Sequence, residues 1–179
     1  MPHSSISRNS FSAAISACFN AERFSEALRL ARRSQEKGFY PNFLKYKSAK
    51  WDLHDLQLAT ACMLLADALL VIGLTGSHKS SSFREIVVVT GKGLRSGSEG
   101  PVLRDKVPQF LQERLGLETT PVEENTGRFL VKQTALQTWT ESGYGTQAKH
   151  QMPCALLKVH DEWTSDDCMQ IDAAFSIDP

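Results

Sequence analysis

Residues 85–93 have the sequence Glu-Ile-Val-Val-Val-Thr-Gly-Lys-Gly, and this stretch decides the predicted fold. The β-branched run that ends at Thr90 is typical of a strand covered on both faces. We therefore expect this strand at the centre of a sheet. Gly91 and Gly93 interrupt the run, so a glycine-rich loop is predicted at its carboxyl end.

Helices are predicted on both sides of this strand. The mostly apolar segment 56–72 is long enough for a helix and is followed by Gly73. Downstream, Pro101 suits the first position of a second helix, which is apolar on one face and ends at Gly116. Alternating strands and helices indicate an α/β domain with a mixed or largely parallel sheet.

Three more strands complete the predicted sheet. A short first strand covers 46–53, and strands at 121–124 and 128–136 form a hairpin. The domain 45–142 is therefore expected to be an α/β or α+β fold of two layers, with the order β, α, β, α, β, β. Residues 143–179 are predicted to be an acidic C-terminal extension of low order.

A helical segment, residues 8–44, precedes this domain. Its apolar residues recur at helical spacing in two groups, which the polar stretch 20–23 separates. Gly38 and Pro41 end the second helix near Asn42. The segment is therefore predicted to be a helical hairpin.

Charge is distributed unevenly along a chain whose formal net charge is +0. Residues 1–50 carry nine Lys or Arg and three acidic residues, whereas 150–179 carry one Lys and six acidic residues. The basic N-terminal part suits a polyanionic partner, although the net charge of the whole chain alone would not suggest one.

The cysteines argue against a zinc site, and the apolar stretches argue against a membrane-spanning segment. The four cysteines form no Cys-x-x-Cys pair and have no histidine at zinc-ligand spacing, so we expect reduced thiols and assign no metal ligands. The longest apolar stretch, 59–74, contains Asp67 and is too short to cross a bilayer, so no membrane partner is expected.

Asp52 and His54 are the candidate catalytic residues. They are separated by one residue on a predicted strand, so their side chains leave the same face. A carboxylate beside an imidazole can position a nucleophile, transfer a proton or bind a cation, and each role suits attack on a phosphodiester. An aspartate at a strand end is also commonly the N-cap of the following helix, so this simpler interpretation stays open.

The glycine loop after the central strand is a candidate phosphate site. Its glycines let backbone amides approach an anion, and its basic residues lie at the edge of an open sheet where ligands bind. The spacing to Gly97 is one residue too long for a dinucleotide fingerprint, and no Walker loop is present. A nucleotide-binding enzyme is therefore disfavoured. The predicted nucleic-acid contacts in this loop are Thr90, Gly91, Lys92, Gly93 and Arg95.

Several motifs together resemble a small MutS-related (Smr) domain over about residues 50–137. They are Trp-Asp-Leu-His at 51–54, the Thr-Gly-Lys-Gly motif after the central strand, and Asn-Thr-Gly-Arg at 125–128. The resemblance implies a fold similar to the C-terminal domain of bacterial translation initiation factor three. It also implies nucleic-acid binding and, as in several members, nicking of DNA or cleavage of RNA.

The resemblance assigns roles to residues of this chain. Asp52 and His54 form the first motif, and Arg128 is a candidate phosphate contact at the closing hairpin. Two departures are visible, because Trp51 stands where the family usually has Leu and Asp55 where it usually has Gly. Asp55 adds negative charge beside the proposed phosphate site.

The N-terminal hairpin resembles a single pentatricopeptide repeat, with small residues in its first helix, Glu-Ala-Leu in its second and a closing Gly-x-x-Pro-Asn. Carried over, Ser12 and Asn42 would recognise one RNA base. Stable arrays need about three or more such hairpins, so one repeat selects little. The alternative is a hairpin that only packs on the next domain.

Pentatricopeptide repeats joined to an Smr domain resemble organellar RNA-processing proteins, which implies a chloroplast or mitochondrial location. The leading hypothesis is RNA binding, with DNA as the alternative ligand, and endonuclease activity assisted by Mg²⁺ or Mn²⁺. In this hypothesis Asp52 orients a water or cation and the glycine loop binds the phosphate. The main rival is a non-catalytic adaptor that docks on RNA or ribosomes.

Overall fold

The computed structural model describes residues 7–41, 43–45, 49–75, 85–92 and 101–142. The predicted extension 143–179 lies outside these ranges, as does most of the glycine-rich loop. The described elements are α1 (Arg8–Asn20), α2 (Phe24–Glu36), β1 (Leu44–Lys45), β2 (Lys50–Asp52), α3 (Leu58–Thr75), β3 (Glu85–Val89), α4 (Val102–Leu115), β4 (Thr120–Pro121), β5 (Arg128–Lys132) and α5 (Gln133–Glu141). The expected mixture of helices and strands is therefore confirmed.

The five strands form one mixed sheet in the order β1-β2-β3-β5-β4. Strand β3 lies at its centre, as the β-branched run predicted. Strands β2 and β3 are parallel, with Trp51 opposite Val88. The other three pairs are antiparallel. Because β2 and β3 run in the same direction, their carboxyl ends meet at one edge of the sheet.

Helices cover one face of the sheet completely and leave the other partly exposed. Ile86 and Val88 are fully buried, whereas Val87 and Val89 on the opposite face are only half-buried. For β3, the expectation of a strand covered on both faces is therefore confirmed for the face of Ile86 and Val88 and only in part for the face of Val87 and Val89. A β-branched run does not alternate between apolar and polar residues, so it does not show that one face is left open. This face, which we call the open face, carries Lys50, Asp52, Val87, Val89, Arg128 and Leu130.

The N-terminal hairpin forms as predicted and packs against α3. Ile15 of α1 and Leu28 of α2 are buried in the same hydrophobic cluster as the sheet residues. An ion pair between Arg32 of α2 and Asp67 of α3 joins the two helices at a largely buried position. Burial raises the pKa of the Asp67 carboxyl, and the Arg32 guanidinium opposes this shift. After α2, Gly38 adopts φ of +73°, the left-handed backbone that favours glycine at a helix end.

Helix α5 replaces the end of a predicted strand. The sequence interpretation extended the last strand over 128–136, but the strand stops at Lys132 and Gln133 begins a helix. Leu136 and Trp139 are three residues apart and both are buried, which is helical spacing. The indole Nε1 of Trp139 donates a hydrogen bond to the carbonyl oxygen of Leu115, which ties α5 to the end of α4.

Helix α3 is the longest of the described helices, and its side chains up to Leu70 are almost all buried. In the ranges described above, no helix is both long enough and apolar enough to cross a membrane. Burial raises the pKa of the Cys62 thiol, which lies on this helix, to about 12. This thiol is therefore protonated and unreactive in the folded protein at neutral pH.

Candidate functional site

The two sequence motifs meet at one end of the sheet. The Leu53 amide, between Asp52 and His54, donates a hydrogen bond of 2.8 Å to the Val89 carbonyl oxygen. A Cβ atom on Gly91 would lie 3.2 Å from the Cβ atom of His54, so the two segments are in van der Waals contact. The expected juxtaposition follows from the parallel pairing of β2 and β3, whose ends lie side by side.

A third segment, the turn at 125–127, packs against the glycine loop. The Gly127 carbonyl oxygen accepts hydrogen bonds from the amides of Thr90, at 2.9 Å, and Gly91, at 3.2 Å. A Cβ atom on Gly127 would lie 2.8 Å from the Gly91 carbonyl carbon and 2.9 Å from the Lys92 nitrogen. Only glycine therefore fits this position without movement of the loop. The sequence interpretation found the turn but not this contact, because the contact depends on the antiparallel pairing of β3 and β5.

Arg128 lies on the open face in the same row as Asp52. The pairing register aligns Asp52 with Val89 and Val89 with Arg128. Asp52 and Arg128 are therefore two strands apart in the sheet, which places their backbones about 10 Å apart. Arg128 is exposed. It can therefore approach an anion that also contacts the Asp52 end of the sheet.

His54 lies between two carboxylates. Its Nδ1 atom is 2.5 Å from Asp52 Oδ1, and its Nε2 atom is 3.0 Å from Asp55 Oδ2. The contact at Nδ1 is a hydrogen bond, whereas the one at Nε2 is a close approach of the Asp55 carboxylate. The Asp52 side chain is 30% exposed and that of His54 is 50% exposed, so solvent and ligands can reach the pair.

Asp52 also accepts a hydrogen bond from the His54 backbone amide, at 3.3 Å. Helix α3 begins at Leu58, so Asp52 lies too far upstream to be its N-cap residue. The simpler interpretation of Asp52 as a helix cap is therefore wrong. The carboxylate instead orients the imidazole, which is the arrangement that acid–base chemistry requires.

The predicted contacts in the glycine loop differ in accessibility. Thr90 is buried, and its hydroxyl donates to the Gly127 carbonyl oxygen at 3.3 Å. The Thr90 and Gly91 amides already donate to the same oxygen, so these groups join the loops and do not face an anion. Lys92 is exposed beside them. Gly93 and Arg95 lie outside the described residues.

The base-recognising role expected for Ser12 does not fit its position. Ser12 lies on the side of α1 that packs near the start of α3, and it is buried there. Its hydroxyl lies 2.9 Å from Gln57 Oε1 and 3.0 Å from Thr60 Oγ1. Contact with a base would require these interactions to break. Asn42, its expected partner, lies outside the described residues.

Arg8 is a cation near the site that the sequence interpretation missed. Its guanidinium lies over the Tyr40 ring, 5.0 Å from the centroid, and 3.5 Å from the Asp55 carbonyl oxygen. This position results from the packing of the hairpin against α3, and no motif in the sequence indicates it. The hairpin therefore contributes a positive charge beside His54 and Asp55.

The described residues contain no group of three or more His, Cys, Asp or Glu placed to bind a metal ion. Asp52 and Asp55 both direct an oxygen at His54. Mg²⁺ usually binds through one or two carboxylates together with water and substrate phosphates, and Asp52 and Asp55 supply two carboxylates at this end of the sheet.

The segment that carries His54 thus contacts the glycine loop, the glycine loop contacts the turn before Arg128, and Arg8 of α1 reaches the Asp55 carbonyl oxygen. Comparison with known proteins found no matching family model, no matching curated protein and no matching solved structure.

Proposed function

We propose that this protein binds RNA, with a backbone phosphate at the end of the sheet where the Asp52–His54 pair, Lys92 and Arg128 lie. The observation that supports this proposal is the contact between His54 and Gly91. It brings an imidazole and a lysine from separate segments to one accessible edge, where the register between β3 and β5 also places Arg128. DNA is the alternative ligand, because phosphate contacts alone do not distinguish the two.

We further propose that residues 45–142 are a divergent Smr domain and that residues 8–44 are a pentatricopeptide-like hairpin. The element order β2, α3, β3, α4, β4, β5 agrees with the order that the Smr resemblance implies. The first motif lies at the end of β2 and the second at the end of β3. Because these strands are parallel, both motifs lie at the same edge of the sheet and can contact one ligand.

The charges near the site favour binding with little sequence selectivity. Arg8, Lys92 and Arg128 are exposed and suited to phosphate contacts. Such contacts position a nucleic acid without recognising its sequence. Ser12 is already bonded to α3, so the hairpin offers no accessible base contact at that position. We therefore expect affinity that depends strongly on salt and weakly on RNA sequence.

Titration of fluorescently labelled single-stranded RNA, followed by anisotropy at several salt concentrations, tests the site. Lys92→Ala and Arg128→Ala should each weaken binding. Each should also make the negative slope of log affinity against log salt concentration shallower by about 0.7. Lys106→Ala is the matched control, since Lys106 is exposed on α4 and its ammonium group donates a hydrogen bond to Gln109. Equal effects of Lys92→Ala and Lys106→Ala would place the RNA elsewhere.

RNA cleavage is a second candidate function, and the Asp52–His54 contact favours it. An imidazole oriented by a carboxylate at Nδ1 can accept or donate a proton at Nε2. The same labelled RNA is incubated without metal, with Mg²⁺ and with Mn²⁺, beside Asp52→Asn. Fragments that disappear in the variant support cleavage. Tight binding without fragments under all three conditions favours the adaptor hypothesis.

A further inference from the structure

A groove of about 500 Å³ lies along α2, and none of the residues assigned above to RNA binding lines it. Four arginines line this groove, which we call the α2 groove, together with two glutamates. We propose that the α2 groove binds residues 161–172 of the same chain, an acidic stretch that we call the acidic segment. This inference does not depend on RNA binding.

Two of the four arginines are available to an anionic ligand. Arg23 and Arg32 already form ion pairs with carboxylates of neighbouring residues. Arg29 and Arg33 are exposed, and no carboxylate of a described residue lies within ion-pair distance of either. They are four residues apart on the helix, so their side chains lie on the same side of α2. The α2 groove therefore presents two neighbouring guanidinium groups.

The other groups of the α2 groove suit a peptide better than a nucleic acid. Leu30 and Cys18 also line it, and both are partly exposed. An RNA backbone in the groove would bring its phosphates near Glu26 and Glu36, and like charges at short distance repel each other. A peptide can place carboxylates at the arginines and an apolar side chain on Leu30, which removes apolar surface from water.

The acidic segment has the side chains that this groove requires. Its sequence is Asp-Glu-Trp-Thr-Ser-Asp-Asp-Cys-Met-Gln-Ile-Asp, with five acidic residues and no Lys or Arg. Trp163 and Ile171 occur among the carboxylates, so one short stretch carries both anionic and apolar side chains. Its charge is therefore complementary to Arg29 and Arg33, and its apolar residues match Leu30.

The chain is long enough to bring the acidic segment to α2. Residues 143–160 join Ser142, the last described residue, to this segment. An extended chain of that length spans about 60 Å, whereas a folded domain of this size is roughly 40 Å across. Attachment to the same chain also gives the segment a high effective concentration. Exposed ion pairs, which are weak individually, are therefore sufficient for binding.

The bound acidic segment excludes other anions from the α2 groove. It neutralises Arg29 and Arg33 and covers Leu30. The excess of basic residues in the N-terminal part is thus offset within the chain, and α2 is not a second binding surface for polyanions.

Backbone amide NMR of the full chain tests the contact. The double variant Asp166→Asn/Asp167→Asn should shift the signals of residues 29–36 on α2, because two carboxylates are removed from the acidic segment. Asp178→Asn is the matched control, since Asp178 is an acidic residue that lies outside this segment. Unchanged α2 signals in the double variant, or equal shifts in the control, would overturn the proposal.

The reciprocal experiment changes the groove. Arg29→Glu/Arg33→Glu should shift the amide signals of the acidic segment, whereas Lys106→Glu, a charge reversal at an exposed position of α4, should not. In the wild type at low salt, nuclear Overhauser contacts should join the Leu30 methyl groups to protons of the acidic segment. Absence of these contacts, or equal shifts in Lys106→Glu, would overturn the proposal.

RNA is the competing occupant of the α2 groove. Single-stranded RNA that shifts the α2 signals of the wild type, together with no effect of Asp166→Asn/Asp167→Asn on these signals, would overturn the proposal and assign the groove to RNA. Lys92→Ala tests the proposed function separately, because Lys92 does not line the groove.

Discussion

Replacement of Gly127 by alanine tests the contact that joins the closing turn to the glycine loop. The added Cβ atom would lie 2.8 Å from the Gly91 carbonyl carbon, about 0.7 Å closer than a normal carbon–carbon contact. Both partner atoms belong to the backbone, so the Gly91–Lys92 segment must move. Overpacking of this kind costs about 1–3 kcal/mol. The midpoint of urea unfolding should therefore fall by about 1 M.

The same movement should displace Lys92 and weaken RNA binding. Gly38→Ala separates this effect from a general loss of stability. A Cβ atom at Gly38 meets nothing within 4 Å, but the residue has φ of +73°, so alanine there costs about 1 kcal/mol of backbone strain. We expect both variants to be destabilised and only Gly127→Ala to lose RNA affinity. Wild-type stability and affinity in Gly127→Ala would refute the proposed packing of the two loops.

Three further predictions concern the hairpin and the last helix. Burial raises the pKa of Asp67 above its ordinary value of 3.8, so the folded protein binds this proton more tightly than the unfolded chain does. The contribution of Asp67 to the free energy of unfolding should then fall as pH rises above about 4, and urea unfolding of the wild type and Asp67→Asn at several pH values measures this difference. Trp139→Ala should cost about 3–5 kcal/mol in the same assay, because the buried indole packs in the core and donates to Leu115. A cost below about 0.5 kcal/mol would contradict the packing of α5. Arg8→Ala should weaken RNA binding about as much as Lys92→Ala, and unchanged affinity would exclude the hairpin from the site.

Local sequence patterns predicted the central strand and the position of both motifs. The β-branched run before Gly91 identifies β3, and the helix predicted between β2 and β3 is long enough to serve as the crossover that parallel pairing needs. Parallel strands end at the same edge of the sheet, so the proximity of His54 and Gly91 could be expected once β2 and β3 were taken to be parallel neighbours. The two helices of the hairpin were predicted for a similar reason, since their apolar spacing is local.

Features that depend on how the elements pack could not be predicted in the same way. Arg8 reaches Asp55 only because the hairpin packs on α3, and no sequence motif indicates that these two distant residues are neighbours. The Gly127 contact depends on the register between β3 and β5. Helix α5 was assigned to a strand because Phe129 and Val131 alternate, and the change to helical spacing at Leu136 comes directly after them.

The contact between His54 and Asp55 changes the meaning of a departure from the family pattern. The sequence suggested only that Asp55 adds negative charge near the phosphate site. In the structure its carboxylate lies 3.0 Å from His54 Nε2, so this charge is next to the imidazole as well as near the glycine loop. Distances of this kind depend on the conformation of a turn, which sequence spacing does not determine.

Backbone amide NMR during titration with single-stranded RNA tests the central claim most directly. RNA that binds at the proposed edge should shift the signals of residues 52–55, 91–92 and 127–128 together, with one dissociation constant. Helix α2 carries exposed arginines on another part of the surface and is the internal comparison. Shifts confined to α2, with the three edge segments unchanged, would contradict the account.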